Sequence, residues 1–170
     1  MVLSAQLVEE QDLQYIVQNC AVELESICNQ KLLITGCAGF LGYYLTKAII
    51  FWNNSSSEKI DLTIQDNFFR GKPKWISELH DEPWLKIETK DVLTEYSNFN
   101  FHNVIHAASI ASPIVYRKYP IETMDANVLG LRNLLDNQKS FKLRTDEPTN
   151  FLYFSTSEIY GDTDPQQIPT

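Results

Sequence analysis

The sequence predicts an α/β chain: a doubly wound parallel sheet, cut off after about five strands, with an extra helical segment in front of it. Three observations carry that expectation. Strand-like apolar runs alternate with helical patterns, the signature of βαβ units. The connections between runs are long enough for the right-handed crossovers that parallel strands need. Three of the six glycines, Gly36, Gly39 and Gly42, fall within seven residues, directly after the first apolar run and at the start of a helical pattern.

The elements follow in order. Residues 5–28 read as a helix, because Leu7, Val8, Leu13, Ile16, Val17, Cys20, Ala21, Leu24 and Ile27 recur at three- and four-residue steps. This segment, residues 1–30, is an appendage that either caps the sheet or contacts another copy. The remainder, 31–170, is the main domain. Residues 31–35 form a strand and 39–52 a helix, with a polar loop at 53–57. Residues 60–65 alternate as a strand, 73–80 make a short helix and 84–89 a strand. Residues 93–99 are a turn or short helix, 104–107 a buried strand, 124–137 a helix and 151–155 a strand.

Bulk properties narrow the function. The 170 residues are 44% hydrophobic and 21% charged, with a formal net charge of −8. No basic stripe is available to neutralise a polyphosphate backbone, so nucleic acid is not a partner. No apolar stretch approaches the ~18 residues of a membrane span. Glu9, Glu10 and Asp12 interrupt any leader-like run. The three cysteines have no zinc or disulfide spacing, so no metal is expected and the compartment is cytoplasmic. Cys20 and Cys28 read as packing residues, and Cys37, inside the glycine turn, as exposed.

The G-x-x-G-x-x-G spacing gives the site. A strand, a tight glycine turn and a helix N-terminus make the Rossmann-like geometry that holds a pyrophosphate. Asp66, at the tip of the second strand, stands 24 residues beyond Gly42, where a carboxylate accepts both ribose hydroxyls of an adenosine. It repels a 2′-phosphate and favours NAD over NADP, although Arg70 nearby is able to pair such a phosphate. Asp91 follows the third strand and either meets the adenine or caps the next turn. The small residues Ala107, Ala108 and Ser109 leave room at the end of the fourth strand. His106, within that strand, is expected to be a structural core residue. Thr156, Ser157 and Glu158 put two hydroxyls and a carboxylate at the end of the fifth strand, where such sheets bind ligands and where a buried glutamate can transfer protons.

The motifs together resemble the extended short-chain dehydrogenase/reductases of the sugar-nucleotide epimerase/dehydratase group, and within it most resemble the UDP-glucuronate decarboxylases. The matching residues are Thr35-Gly36…Gly39-Phe40-Leu41-Gly42, Asp66-Asn67-Phe68-Phe69 with Gly71, Asp91-Val92, the run His106 to Pro113 with Tyr116, then Pro120-Ile121, Thr123, Asn127 and Gly130, and finally Ser155 to Asp162. The resemblance implies NAD as cofactor and a nucleotide sugar, a UDP-sugar, as substrate. It implies oxidation at C4, loss of the C6 carboxylate and re-reduction. Gly36, Gly39, Phe40, Leu41, Gly42, Asp66, Asn67, Asp91, Val92, Ala107, Ala108 and Ser109 would hold the cofactor. Thr156 would bind the 4-hydroxyl, with Ser157 and Glu158 assisting proton transfer. Ser109, Pro113 and Tyr116 would line the sugar and the nicotinamide side. A 4-epimerase or a 4,6-dehydratase is the alternative within the group.

The Tyr-x-x-x-Lys pair of that group has no match on a suitable helix. Tyr43 and Lys47 have the spacing but follow the glycine turn, which makes them a chance surface pair. The chain alone is therefore expected to be inactive, as the cofactor half of an enzyme that pairs with another copy or with a C-terminal half. A non-catalytic nucleotide-binding regulatory or structural subunit is the reading from another class.

Overall fold

The computed structural model describes residues 4–162 and residue 164. Among the described residues five parallel strands lie in the order β3-β2-β1-β4-β5. They are β1 (Lys31–Thr35), β2 (Asp61–Asp66), β3 (Leu85–Thr89), β4 (Asn103–His106) and β5 (Asn150–Tyr153). The register is continuous: Thr35 stands opposite Gln65 on one side and His106 on the other, and His106 stands opposite Tyr153. The order reverses at β1, so the crevice beyond the carboxyl ends of β1 and β4 is the topological switch point where such sheets bind ligands.

The two faces of the sheet are covered differently. Leu32, Ile34, Leu62 and Ile64 point to one face and pack under α3 (Phe40–Ser55), with Ala48 and Ile49 completing an apolar core. The leading segment joins the same core. It is two helices rather than one, α1 (Ala5–Asn19) and α2 (Ala21–Ser26), broken at Cys20, and its Leu13, Val17 and Leu24 are buried. On the opposite face Leu33, Val104, Leu134 and Phe141 form a second core under α7 (Leu131–Thr145). Across β2 and β3 that face is polar. Gln65 donates to Glu88 at 2.5 Å and accepts from the Tyr96 hydroxyl at 2.7 Å. An open cavity of about 550 Å³ runs along it, lined by Lys31, Asp61, Thr63, Gln65, Lys86 and Glu88 among others.

Several elements depart from the sequence expectation. The helix at 73–80 shrinks to α4 (Lys74–Ser77). Residues 93–99, expected as a turn or a short helix, take the turn, and Tyr96, Phe99 and Phe101 stack edge to face along it. The helix at 124–137 is much longer. It runs from α6 (Pro120–Asp125) through a single π-helical turn, Ala126–Gly130, into α7, and it is preceded by the short α5 (Pro113–Lys118). No helix among the described residues is long and apolar enough to cross a membrane.

Candidate functional site

The glycine turn is built by close approach of backbone to backbone. Gly36 adopts φ 76°, and a Cβ there would lie 2.6 Å from the carbonyl carbon and oxygen of Ala107 and from Cα of Ala108. A Cβ on Gly42 would lie 2.1 Å from the Gly36 oxygen and 2.7 Å from Cα of Cys37. Neither position admits a side chain without moving main chain. The Gln65 carbonyl accepts from the Gly36 amide (2.8 Å) and the Cys37 amide (3.3 Å), which locks the turn to β2. Sequence reasoning missed Gln65, since a backbone acceptor carries no side-chain signal.

Helix α3 begins here, with Gly39 as its N-cap and no side chain capping it. The amides of Phe40, Leu41 and Gly42 have no carbonyl one turn earlier to bond. They present partial positive charge toward the crevice, with the helix dipole behind them. The side chains of Phe40 and Leu41 are exposed beside them. Cys37 is fully buried rather than exposed: its side chain turns beneath the turn, and burial pushes the thiol up to about 12.

Asp66 ties this turn to the loop after β2. One carboxylate oxygen accepts from the Ala38 amide (3.1 Å) and the other from the Phe68 amide (2.8 Å). Each oxygen keeps a second lone pair for a ribose hydroxyl. Asn67 donates to Asp91 at 2.8 Å, so the β2 and β3 loops are joined. Asp91 also accepts from the Leu93 amide at 2.9 Å, a local turn with no helix after it. Val92 is buried against Gly130, and its carbonyl accepts from Asn133 at 2.7 Å. Its side chain is therefore committed to packing.

At the end of β4, Ala107 and Ala108 are half-buried and Ser109 is exposed. His106 is fully buried. Its Nδ1 lies 2.7 Å from the Thr35 hydroxyl, and its ring stacks on Tyr153 at 5.4 Å. Burial lowers its pKa to about 4, so it is neutral at physiological pH and acts as a joint between β1 and β4. Pro113 opens α5, and Tyr116 lies one turn further along it, both partly or fully exposed. At β5, Thr156 and Ser157 are exposed, and Ser157 opens a 3-10 turn, Ser157–Tyr160. The side chain of Glu158 lies outside the described residues.

Tyr43 and Lys47 are not a chance surface pair. The Tyr43 hydroxyl donates to Glu9 of α1 at 2.5 Å, Lys47 lies 3.8 Å from the same oxygen, and Trp75 packs edge to face on Tyr43. Burial, followed by the Glu9 bond, pushes the Tyr43 hydroxyl up to about 12. The pair anchors α1. Among the described residues no group of His, Cys, Asp or Glu is placed to hold a metal ion.

A glycine turn at the switch point, an uncapped helix N-terminus and a carboxylate at the tip of β2 define a dinucleotide-binding α/β protein. The chain belongs to the NAD dependent epimerase/dehydratase family, whose profile matches residues 32–170. The cofactor of that family is NAD, and the uncapped amides at the start of α3, behind Gly39, where a Cβ would meet only the Gly36 oxygen at 3.3 Å, fit its pyrophosphate. Among curated proteins the chain is similar to UDP-glucuronic acid decarboxylase 3 of Arabidopsis thaliana, 33% identical over 134 residues, covering 79% of this chain and 36% of the relative. UDP-glucuronic acid decarboxylase 1 of Danio rerio is 32% identical over 137 residues, 78% of this chain and 29% of the relative. The chain thus spans about a third of the length of these relatives. In fold it resembles the Bordetella bronchiseptica enzyme WbmF, solved in complex with NAD+, with TM-score 0.63, 17% identity, and 85% of this chain and 42% of that one covered. It also resembles a UDP-N-acetylglucosamine 4-epimerase from Methanobrevibacter ruminantium M1, with TM-score 0.61, 21% identity and coverage of 83% and 42%.

Proposed function

We propose that this chain is the NAD-binding portion of a nucleotide-sugar-modifying enzyme of the UDP-glucuronate decarboxylase type. The observation that carries the reading is the uncapped start of α3 at Gly39, held by a glycine turn in which Gly36 packs on the Ala107–Ala108 backbone and Gly42 on the Gly36–Cys37 backbone. The identity to UDP-glucuronic acid decarboxylases supports the choice within the family. NAD supplies reversible hydride exchange at C4 of the sugar.

The chain's own residues take the following parts. The turn amides and the dipole of α3 hold the pyrophosphate. The free lone pairs of Asp66 accept ribose hydroxyls, and the Asn67–Asp91 pair borders the adenine. Ala107, Ala108 and Ser109 border the nicotinamide side. Pro113 and Tyr116 line the sugar, the Thr156 hydroxyl holds the sugar 4-hydroxyl, and Ser157 and Glu158 assist proton transfer near C5 and C6. A proton-transferring group of this kind is typically worth ~10²–10⁴-fold in rate.

Isothermal titration with NAD and with NADP tests the cofactor reading. Tighter binding of NAD is expected, because the Asp66 carboxylate repels a 2′-phosphate. Equal or tighter binding of NADP would hand that choice to Arg70. The reaction is tested with a Tyr-x-x-x-Lys-bearing segment supplied in cis or in trans. Conversion of UDP-glucuronate to UDP-xylose supports the decarboxylase reading, and conversion of UDP-glucose to UDP-galactose replaces it with the 4-epimerase.

A further inference from the structure

Phe69 and Tyr119 meet edge to face, with ring centroids 5.5 Å apart and planes at 84°. Neither belongs to a core. Phe69 sits on the loop after β2 with 59% of its surface exposed, and Tyr119 is the junction between α5 and α6. The loop of Phe69 leaves β2, whereas the segment carrying Tyr119 leaves β4. In the sheet β1 stands between those two strands. The contact therefore spans the carboxyl end of β1, where the glycine turn and the start of α3 lie.

Both ends of the span are held. The Phe69 amide donates to Asn67 Oδ1 at 3.0 Å, and Asn67 is itself tied to Asp91. The Tyr119 amide donates to the Val115 carbonyl at 2.9 Å, and the Tyr119 carbonyl accepts from both the amide (3.1 Å) and the hydroxyl (2.7 Å) of Thr123. Phe68, at φ 51°, and Gly71, at φ 89°, turn the loop after β2, and the Gly71 amide donates to the Phe68 carbonyl at 2.7 Å. Lys72 stands over the Phe68 ring at 5.7 Å and Lys118 over the Tyr119 ring at 5.2 Å. One ammonium group thus stands on the residue before Phe69 and one on Tyr119 itself.

We infer that Phe69 and Tyr119 form an aromatic bridge across the cofactor crevice and gate the entry and exit of the dinucleotide. The inference rests on the NAD-binding reading above. Each passage requires the rings to part, and an edge-to-face aromatic pair holds them together, so one ring removed should speed both directions of exchange. From the usual strength of such a pair, each rate should rise about 2- to 10-fold, with the equilibrium affinity changing less than either rate.

The test is stopped-flow binding and release of NADH, read by its fluorescence, on the chain and on Phe69→Ala, Tyr119→Ala and the double variant, with thermal midpoints measured alongside. Phe69→Leu serves as the milder replacement should the alanine variant fold poorly. A bridge predicts faster association and release in each single variant, no further gain in the double, and midpoints close to the parent. Unchanged rates in the single variants, or effects that multiply in the double, overturn the gate. If the parent chain binds NADH and the variants exchange it at the parent rate, only the gate falls. If the parent chain binds no NADH, the cofactor reading falls and the gate with it.

Discussion

At the carboxyl end of β1 the backbone itself makes the candidate site, whereas at the end of β5 exposed side chains would make it. The first is a set of main-chain approaches at 2.1–2.7 Å from where side chains would begin, closed by hydrogen bonds to Gln65 and Asp66. The second is a 3-10 turn carrying Ser157 next to an edge strand whose Leu152 is half exposed. The glycine turn is thus part of the packing of this sheet, whereas the side chains at the end of β5 are only displayed on it. Damage to the first region should cost fold and ligand together. Damage to the second should cost chemistry alone.

Gly42→Ala is the strongest way to break that contrast. The new methyl meets main chain rather than a movable side chain, so overpacking should remove on the order of 3 kcal/mol of stability and NADH binding with it. Chemical denaturation and titration on one sample check both. A variant with the parent midpoint and parent affinity would show that the turn is looser than the contacts imply.

His106 offers a second probe of the β1 end. Its folded pKa, about 4, lies below the ordinary value of 6.5, so below pH 6.5 the unfolded chain takes up a proton that the folded chain refuses. Its contribution is fully present above pH 6.5 and is lost as the pH falls toward 4, by about 1.4 kcal/mol per pH unit. The groups against the ring, the Thr35 hydroxyl and the Tyr153 ring, supply no countercharge. The parent chain should therefore lose about 2 kcal/mol between pH 6.5 and pH 5 through this residue, and His106→Gln should flatten that part of the profile. Denaturant midpoints at the two pH values decide it, and an equal slope in both proteins would place the acid sensitivity elsewhere.

Ser157→Ala sharpens the comparison from the other end. Its side chain is exposed, so the change in stability should stay within ~0.5 kcal/mol, and NADH affinity should not move. A larger loss of stability would mean that the β5 end is packed as tightly as the β1 end.

What the sequence disclosed follows the same division. The strands and the glycine turn were legible because they depend on local pattern: apolar runs of four to six residues and three glycines at fixed spacing. Asp66 was legible for the same reason, although its two amide bonds to Ala38 and Phe68 were not. The anchor of α1 was hidden, since Tyr43 and Lys47 find their partner Glu9 34 residues upstream in Tyr43's case. The full reach of the helix through Thr145 was hidden because its later turns are rich in Lys and Ser, with only Leu134, Gln138 and Phe141 buried. The turn at 93–99 was ambiguous because aromatic stacking between Tyr96, Phe99 and Phe101 outweighs helical propensity there. The Phe69–Tyr119 contact joins segments 50 positions apart, and no periodicity announces it.

The burial of Cys37 has a chemical consequence. A thiol reacts with alkylating reagents as its thiolate, and this one is both covered and held protonated, its pKa pushed up to about 12. Cys20, on the surface, is open to reagent from the start. Cys37 can be modified only when the glycine turn lifts away from β2 and β4. The slowest phase of alkylation, after those of Cys20 and the half-buried Cys28, is therefore a clock for the opening of the glycine turn, running on the native cysteines without any label.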